Sequence, residues 1–202
     1  MDPSYKNLFI QLEKDIVFVK KRKELLKNKF EEIKKQMIEE FNNHPVTVEI
    51  EGGIDSPNIS GTLNGRTNLF SFIGFDAGSN PIQPIRELLN QSLFRISSGN
   101  SGVVKATFDI PTAKMIFSIT PMPWAAGRSW ARGIERGISG LGFYLKKNKG
   151  SRSGLGIQSR KQIRKGAKFK NTQYISALIN KYEKKFKELN NITLWNQLFR
   201  MM

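Results

Sequence analysis

The residues able to do chemistry in this sequence are cations far more than nucleophiles, acids or metal ligands. Histidine occurs once, as His44, and cysteine not at all. Disulfides, thiol nucleophiles and thiolate metal sites are therefore excluded. A Ser–His triad or a metal set would need partners arranged around His44, and the sequence supplies no recognisable group. His44 reads instead as a helix terminator or surface residue. The paired acids Glu31-Glu32 and Glu39-Glu40 fall on the charged face of a helical pattern. Acids nearly vanish after Asp109, so no metal-dependent nuclease set is expected. Ser153-Gly154-Leu155-Gly156 departs from the GxGxxG spacing, and no Walker lysine–serine pair follows it. The expectation is a protein with no catalytic residues, no cofactor, no metal and no small-molecule substrate.

The cations are another matter. Arg128, Arg132 and Arg136 recur at i, i+4 and i+8, which places three guanidinium groups on one helical stripe. Beyond them come Lys146, Lys147, Lys149, Arg152, Arg160, Lys161, Arg164, Lys165, Lys168 and Lys170, with no acid among them. Guanidinium and ammonium groups bind phosphates and carboxylates, so these thirteen residues are the candidate surface for nucleic acid or an acidic partner. Trp124, Trp130 and Phe143 lie close by in sequence. They offer either faces on which bases stack or packing for the core and for subunit contacts. No helix-turn-helix, zinc-finger, RNP or KH signature is present, so sequence-specific readout is not expected. Glu135, within the arginine cluster, is expected to pair with a neighbouring arginine.

The whole chain of 202 residues carries a formal charge of +16, and the excess is segregated. Residues 1–109 hold 14 basic and 14 acidic side chains, whereas residues 110–202 hold 19 basic ones against Glu135, Glu183 and Glu188. Solubility alone would not require such asymmetry; a polyanion-facing surface would. With 39% apolar and 25% charged residues the composition is that of a globular protein long enough to bury a core. No apolar run approaches the roughly 18 residues of a membrane span, so no membrane partner is expected. The opening MDPSYKNLFI lacks a basic region followed by an apolar one, so no signal peptide is expected.

The elements that must position the cations follow from periodicity. Leu8, Leu12, Ile16, Val19, Leu26, Phe30, Ile33, Met37 and Phe41 recur at spacings of three and four, predicting a long helix over 3–42 with Asp2 as N-cap. At about 1.5 Å per residue it would reach near 60 Å. Alternation predicts strands at Val46–Glu51, Leu69–Phe75, Val103–Ile110 and Lys114–Thr120, the last two as an antiparallel pair. Residues 52–68 read as loop with a hairpin near Asn64-Gly65, and PIQPIRELLNQSLFRI as a helix opened by proline. A short helix from Gly127 should bury Trp130 and Ile134. Thr172–Leu189 should be a helix with Tyr174, Leu178, Tyr182 and Phe186 inward, followed by an apolar tail helix over 192–202. The predicted fold class is α+β: a long N-terminal helix, a small, mainly antiparallel sheet of about four strands packed by helices, an extended basic arm, and C-terminal helices. The expected boundaries are a core at 1–145, the arm at 146–171 and a helical segment at 172–202.

Two stretches carry a family likeness. NLFSFIGFDAGSNPIQPIRELL (Asn68–Leu89) and PMPWAAGRSWARGIERGISGLGFYL with the SRSGLGIQS arm, taken with the long leading helix, resemble small structural proteins at the head–tail junction of tailed bacteriophages, of the tail-completion, tail-terminator and neck type. The likeness covers most of the first 160 residues in element order. It implies an α+β subunit of a homo-oligomeric ring, hexameric or dodecameric, whose arms clasp neighbours, and no catalysis. It further implies adjacent portal, neck or tail proteins as partners and a place in the virion after assembly in the host cytoplasm. The charge of the basic arm suits either an adjacent acidic protein or packaged DNA. The alternative from the residues themselves is a non-enzymatic nucleic-acid-binding protein that uses its basic C-terminal half.

Overall fold

The computed structural model describes residues 16–63, 67–98, 104–136, 143–146, 157–162 and 172–189. Helix and two-stranded antiparallel ladders are mixed throughout. In order, the elements are α1 (Ile16–Asn43), α2 (Pro45–Glu51), a 3-10 turn (Gly53–Asp55), α3 (Leu69–Ile73), α4 (Gln83–Asn90), β1 (Leu93–Ser98), β2 (Val104–Asp109) and α5 (Ala113–Ser118). There follow β3 (Pro121–Met122), β4 (Ala125–Ser129), α6 (Trp130–Arg136), β5 (Phe143–Lys146), β6 (Ile157–Gln162) and α7 (Ile175–Glu188). The chain forms two compact units. Among the described residues the first holds 16–38, 89–98, 104–111 and 180–189, and the second 39–63, 67–88, 112–136, 143–146, 157–162 and 172–179.

Helix α1 follows the predicted stripe: Leu26, Phe30, Met37 and Phe41 are buried. Its 28 described residues span about 42 Å; the expected start near Pro3 lies outside the described residues. In the first unit Phe30 is the centre of a ring cluster, 5.7 Å from Phe94, 6.0 Å from Phe108 and 5.2 Å from Phe186. Phe94 and Phe108 are direct cross-strand partners in the β1–β2 ladder, with centroids 5.6 Å apart. Cross-strand aromatic pairs of this kind fix register as well as adding stability. Lys34 Nζ donates to the Asn90 and Ser92 carbonyls at 2.6 and 3.0 Å. It thereby satisfies acceptors where α4 gives way to β1.

The second unit departs from the predicted strands. Val46–Glu51 is helix α2, because Pro45 occupies its first turn and His44 caps it, Nδ1 accepting from Val46 N at 3.2 Å. Burial of Val46, Thr47, Glu49 and Ile50 follows a helical face rather than alternation, and Val48 is exposed. Leu69–Ile73 is helix α3, because Asn68 Oδ1 accepts from Ser71 N at 2.9 Å and Gly74 ends the helix at φ 85°. Ala113–Ser118 is helix α5, capped by Thr112. Strand β2 therefore pairs with β1, not with Lys114–Thr120; of the predicted proline-opened helix, 83–90 is helix α4 and the last four residues belong to β1. In place of one sheet of about four strands there are three separate two-stranded ladders among the described residues. The expected hairpin turn at Asn64-Gly65 and the tail helix over 192–202 lie outside the described residues.

The second core gathers around Tyr174, whose ring lies 6.1 Å from Phe41, 4.8 Å from His44 and 6.4 Å from Trp130. Its hydroxyl bonds Thr47 Oγ1 at 2.8 Å, and full burial raises the phenol well above its ordinary pKa. Trp130 meets Phe75 edge-on at 5.7 Å. Trp130 and Ile134 are buried as predicted, as are Tyr174, Leu178, Tyr182 and Phe186 on the closing helix, in whichever unit each falls. Arg86 clamps the Glu51 carboxylate with two bonds of 2.8 and 3.0 Å and reaches Asn42 Oδ1 at 3.0 Å.

A candidate cationic cleft

Strand β4 and helix α6 place Arg128, Arg132 and Arg136 along one side of an open cleft of about 1100 Å³. Helix α5 contributes the other side, including Lys114 and Phe117, and β3 supplies Pro121 and Met122 at the floor. No Asp or Glu is among the residues lining it. All four cationic residues are exposed. The predicted single helix from Gly127 is in fact a strand followed by a helix. Arg128 thus reaches the cleft from β4, while Arg132 and Arg136, one turn apart, do so from α6. Gly127 stands at φ 75°, a left-handed conformation that glycine adopts without strain.

A chain of hydroxyls locks these elements together. Thr120 Oγ1 donates to the Ile116 carbonyl at 3.0 Å, which leaves it to accept from Ser129 Oγ at 2.7 Å. Ser129 Oγ in turn accepts from Arg132 N at 3.1 Å and so caps α6. Trp130 N donates to the Thr120 carbonyl at 2.9 Å, closing the same junction in the backbone. The start of the arginine-bearing helix is thereby tied to the end of the lysine-bearing one.

Glu135 behaves differently from the expectation. Its carboxylate turns to α7, accepting from Ser176 N at 2.5 Å and from Ser176 Oγ at 2.6 Å, instead of pairing with an arginine. An acidic group at the start of α7 satisfies an otherwise open N–H and complements the helix dipole. The acid nearest the arginines in sequence is therefore committed to helix capping, and the cleft keeps its positive field.

Of the ten further predicted cations, Lys146 ends β5, and Arg160 and Lys161 lie within β6. That part of the expected arm forms an antiparallel ladder, with Lys146 opposite Ile157 and Phe143 opposite Gln162. Lys147, Lys149, Arg152, Arg164, Lys165, Lys168 and Lys170 lie outside the described residues. Lys114 was missed because its segment reads as a strand; the signal that finds it is Thr112, a helix cap three residues before Met115. Trp124 and Trp130 serve packing: Trp130 is 1% exposed, and half-buried Trp124 donates its Nε1 proton to the Ile73 carbonyl at 2.8 Å.

The other groups with chemical potential serve the backbone. His44 spends Nδ1 on the cap of α2, and burial lowers its pKa below 6.5 against the opposing pull of a Gln173 backbone hydrogen bond and the Glu40 charge. Glu49, fully buried and not singled out by the sequence, accepts from Leu69 N, Ser60 N and Asn58 Nδ2, each at 2.7 Å. Among the described residues no three of His, Asp and Glu gather in one place. A second groove, of about 720 Å³ in the first unit, sets Glu24 and Glu31 among its lysines and so lacks a single-sign field. No helix among the described residues is long and apolar enough to cross a membrane. No protein-family model, curated protein or solved structure matches this chain.

Proposed function

We propose that this chain is a non-catalytic assembly protein, a structural component of a tailed-phage particle that forms a ring at the head–tail junction and holds an acidic partner through its basic second half. The observation that carries the binding part is the convergence of Lys114, Arg128, Arg132 and Arg136 on one cleft lined by no carboxylate, with Glu135 committed to Ser176. Four like charges held together repel one another, and a partner of opposite sign relieves that repulsion. The commitment of His44 and Glu49 to backbone hydrogen bonds supports a scaffolding role for the groups that would otherwise be first choices for catalysis. The ring, its neighbours at the portal, neck or tail, and its place in the virion rest on the resemblance of the Asn68–Leu89 and Pro121–Leu145 stretches.

Sedimentation velocity and native mass spectrometry over a wide concentration range test the ring. A hexamer or dodecamer is the expected species. A chain that stays monomeric at high concentration while binding DNA with steep salt dependence overturns the ring and leaves the second reading, a free-standing nucleic-acid-binding protein, which the same cleft favours.

A further inference from the structure

We infer that the cleft bounded by α5, β4 and α6 takes the phosphodiester backbone of a nucleic acid, without reading its bases; this rests on the reading that the cleft holds an acidic partner and names that partner's chemistry. Arg132 and Arg136 are one helical turn apart, about 6 Å along the axis, and Arg128 and Lys114 extend the positive surface from two other elements. A repeating polyanion meets several of these charges at once. The cleft is open, so a polymer can run through it without presenting an end.

The neutral groups decide between phosphate and peptide, and against base reading. Three serines line the cleft, and each hydroxyl proton is already given away: Ser118 to the Met115 carbonyl at 2.7 Å, Ser129 to Thr120, and Ser176 to Glu135. As donors only the formal charges remain on offer, beside the apolar surface of Phe117, Pro121 and Met122. An acidic peptide brings its own backbone N–H groups, for which the cleft offers only the lone pairs of the three serine oxygens and no carboxylate. A phosphate backbone brings acceptors only, which suits a wall of guanidinium donors. Stacking on base faces would need exposed rings, and neither Trp130, buried in the core, nor Trp124, half-buried with its Nε1 proton given to Ile73, supplies one, so the duplex is met from its phosphate side.

Fluorescence anisotropy with a labelled 20-base-pair duplex of arbitrary sequence tests this on the full chain, with poly-glutamate of matched charge as competitor. Duplexes of unrelated sequence should bind alike. Replacing Lys114, Arg128, Arg132 and Arg136 by alanine should lower the salt slope of binding by about three to four. Between 50 and 200 mM salt the native chain should therefore lose about 100-fold more affinity than this variant. The pair R132A/R136A, at two exposed positions, should show about half the change in slope and provides the reading if the fourfold variant fails to fold. A control with Lys20, Lys21, Lys27 and Lys29 of α1 replaced by alanine should keep the native slope. Equal loss in control and cleft variants would show that binding follows bulk charge and would overturn the site. Poly-glutamate binding at the cleft as tightly as the duplex would overturn the nucleic-acid inference while leaving an acidic partner in place. Binding of neither probe would overturn both.

Discussion

The Glu135 carboxylate and Ser176 are joined twice, through the serine's backbone N–H and through its hydroxyl. This pair closes the N-terminus of α7 from another element, where Tyr174 has no oxygen suited to capping. Glu135→Ala should cost about 1–2 kcal/mol of unfolding free energy. A double-mutant cycle with Ser176→Ala in urea should return a coupling of about 1 kcal/mol. Additive single effects would show that the two contacts do not act as a unit.

His44 predicts a dependence on pH. Its folded pKa lies below the ordinary histidine value of 6.5 because burial disfavours the charged ring. The unfolded chain therefore binds the proton first. The stabilising contribution is fully present above about pH 6.5 and is lost as pH falls from there through the lower folded value. His44→Asn keeps a capping oxygen and removes the titration. Urea melts between pH 7 and 5 should show a decline in the native chain that is reduced in the variant.

Glu49 predicts a large effect from a small change. Glu49→Gln replaces one of two acceptor oxygens with a donor that faces donors, at a carboxylate that is itself fully buried and whose bond to Leu69 N is buried with it. A loss of about 2 kcal/mol is expected, whereas Glu51→Gln at the exposed rim should cost less than about 1 kcal/mol. Equal costs in chemical denaturation would contradict the difference in burial.

Gly127 isolates a backbone effect. No atom lies within 4 Å of the position a Cβ would take, so Gly127→Ala tests φ alone. The left-handed conformation should cost about 1–2 kcal/mol, and Gly127→Asn, which tolerates that region better, should recover part of it. Thermal melts of the two variants make the comparison.

Legibility differed by element for physical reasons. Helix α7 was readable because Tyr174, Leu178, Tyr182 and Phe186 repeat over several turns, and α1 likewise from Leu26 to Phe41. The short helices were not, since five to seven residues carry too little periodicity to outweigh the β-branched alternation of VTVEIE or the aromatics of LFSFI. Their helicity is set by His44, Asn68 and Thr112 at the caps, and a buried Glu49 defeats any apolar template. Strand β1 was hidden because ELLNQSLF continues a helical pattern, and its pairing with Val104–Asp109 is a tertiary fact. The arginine cluster was legible from spacing alone. That Glu135 does not pair with it was not, because the destination of that carboxylate depends on α7, some forty residues away.

The hydroxyl chain from Arg132 N through Ser129 and Thr120 to the Ile116 carbonyl has a further consequence. Thr120 Oγ1 also reaches the Phe117 carbonyl at 3.3 Å, so its proton is held between two of the last carbonyls of α5 while the rest of the chain runs one way. The backbone supports of Lys114 and Arg132 are thereby held at a set interval, as the jaws of a caliper are by their beam. Any group that met both cations would find them on supports fixed relative to one another rather than on independently moving ones.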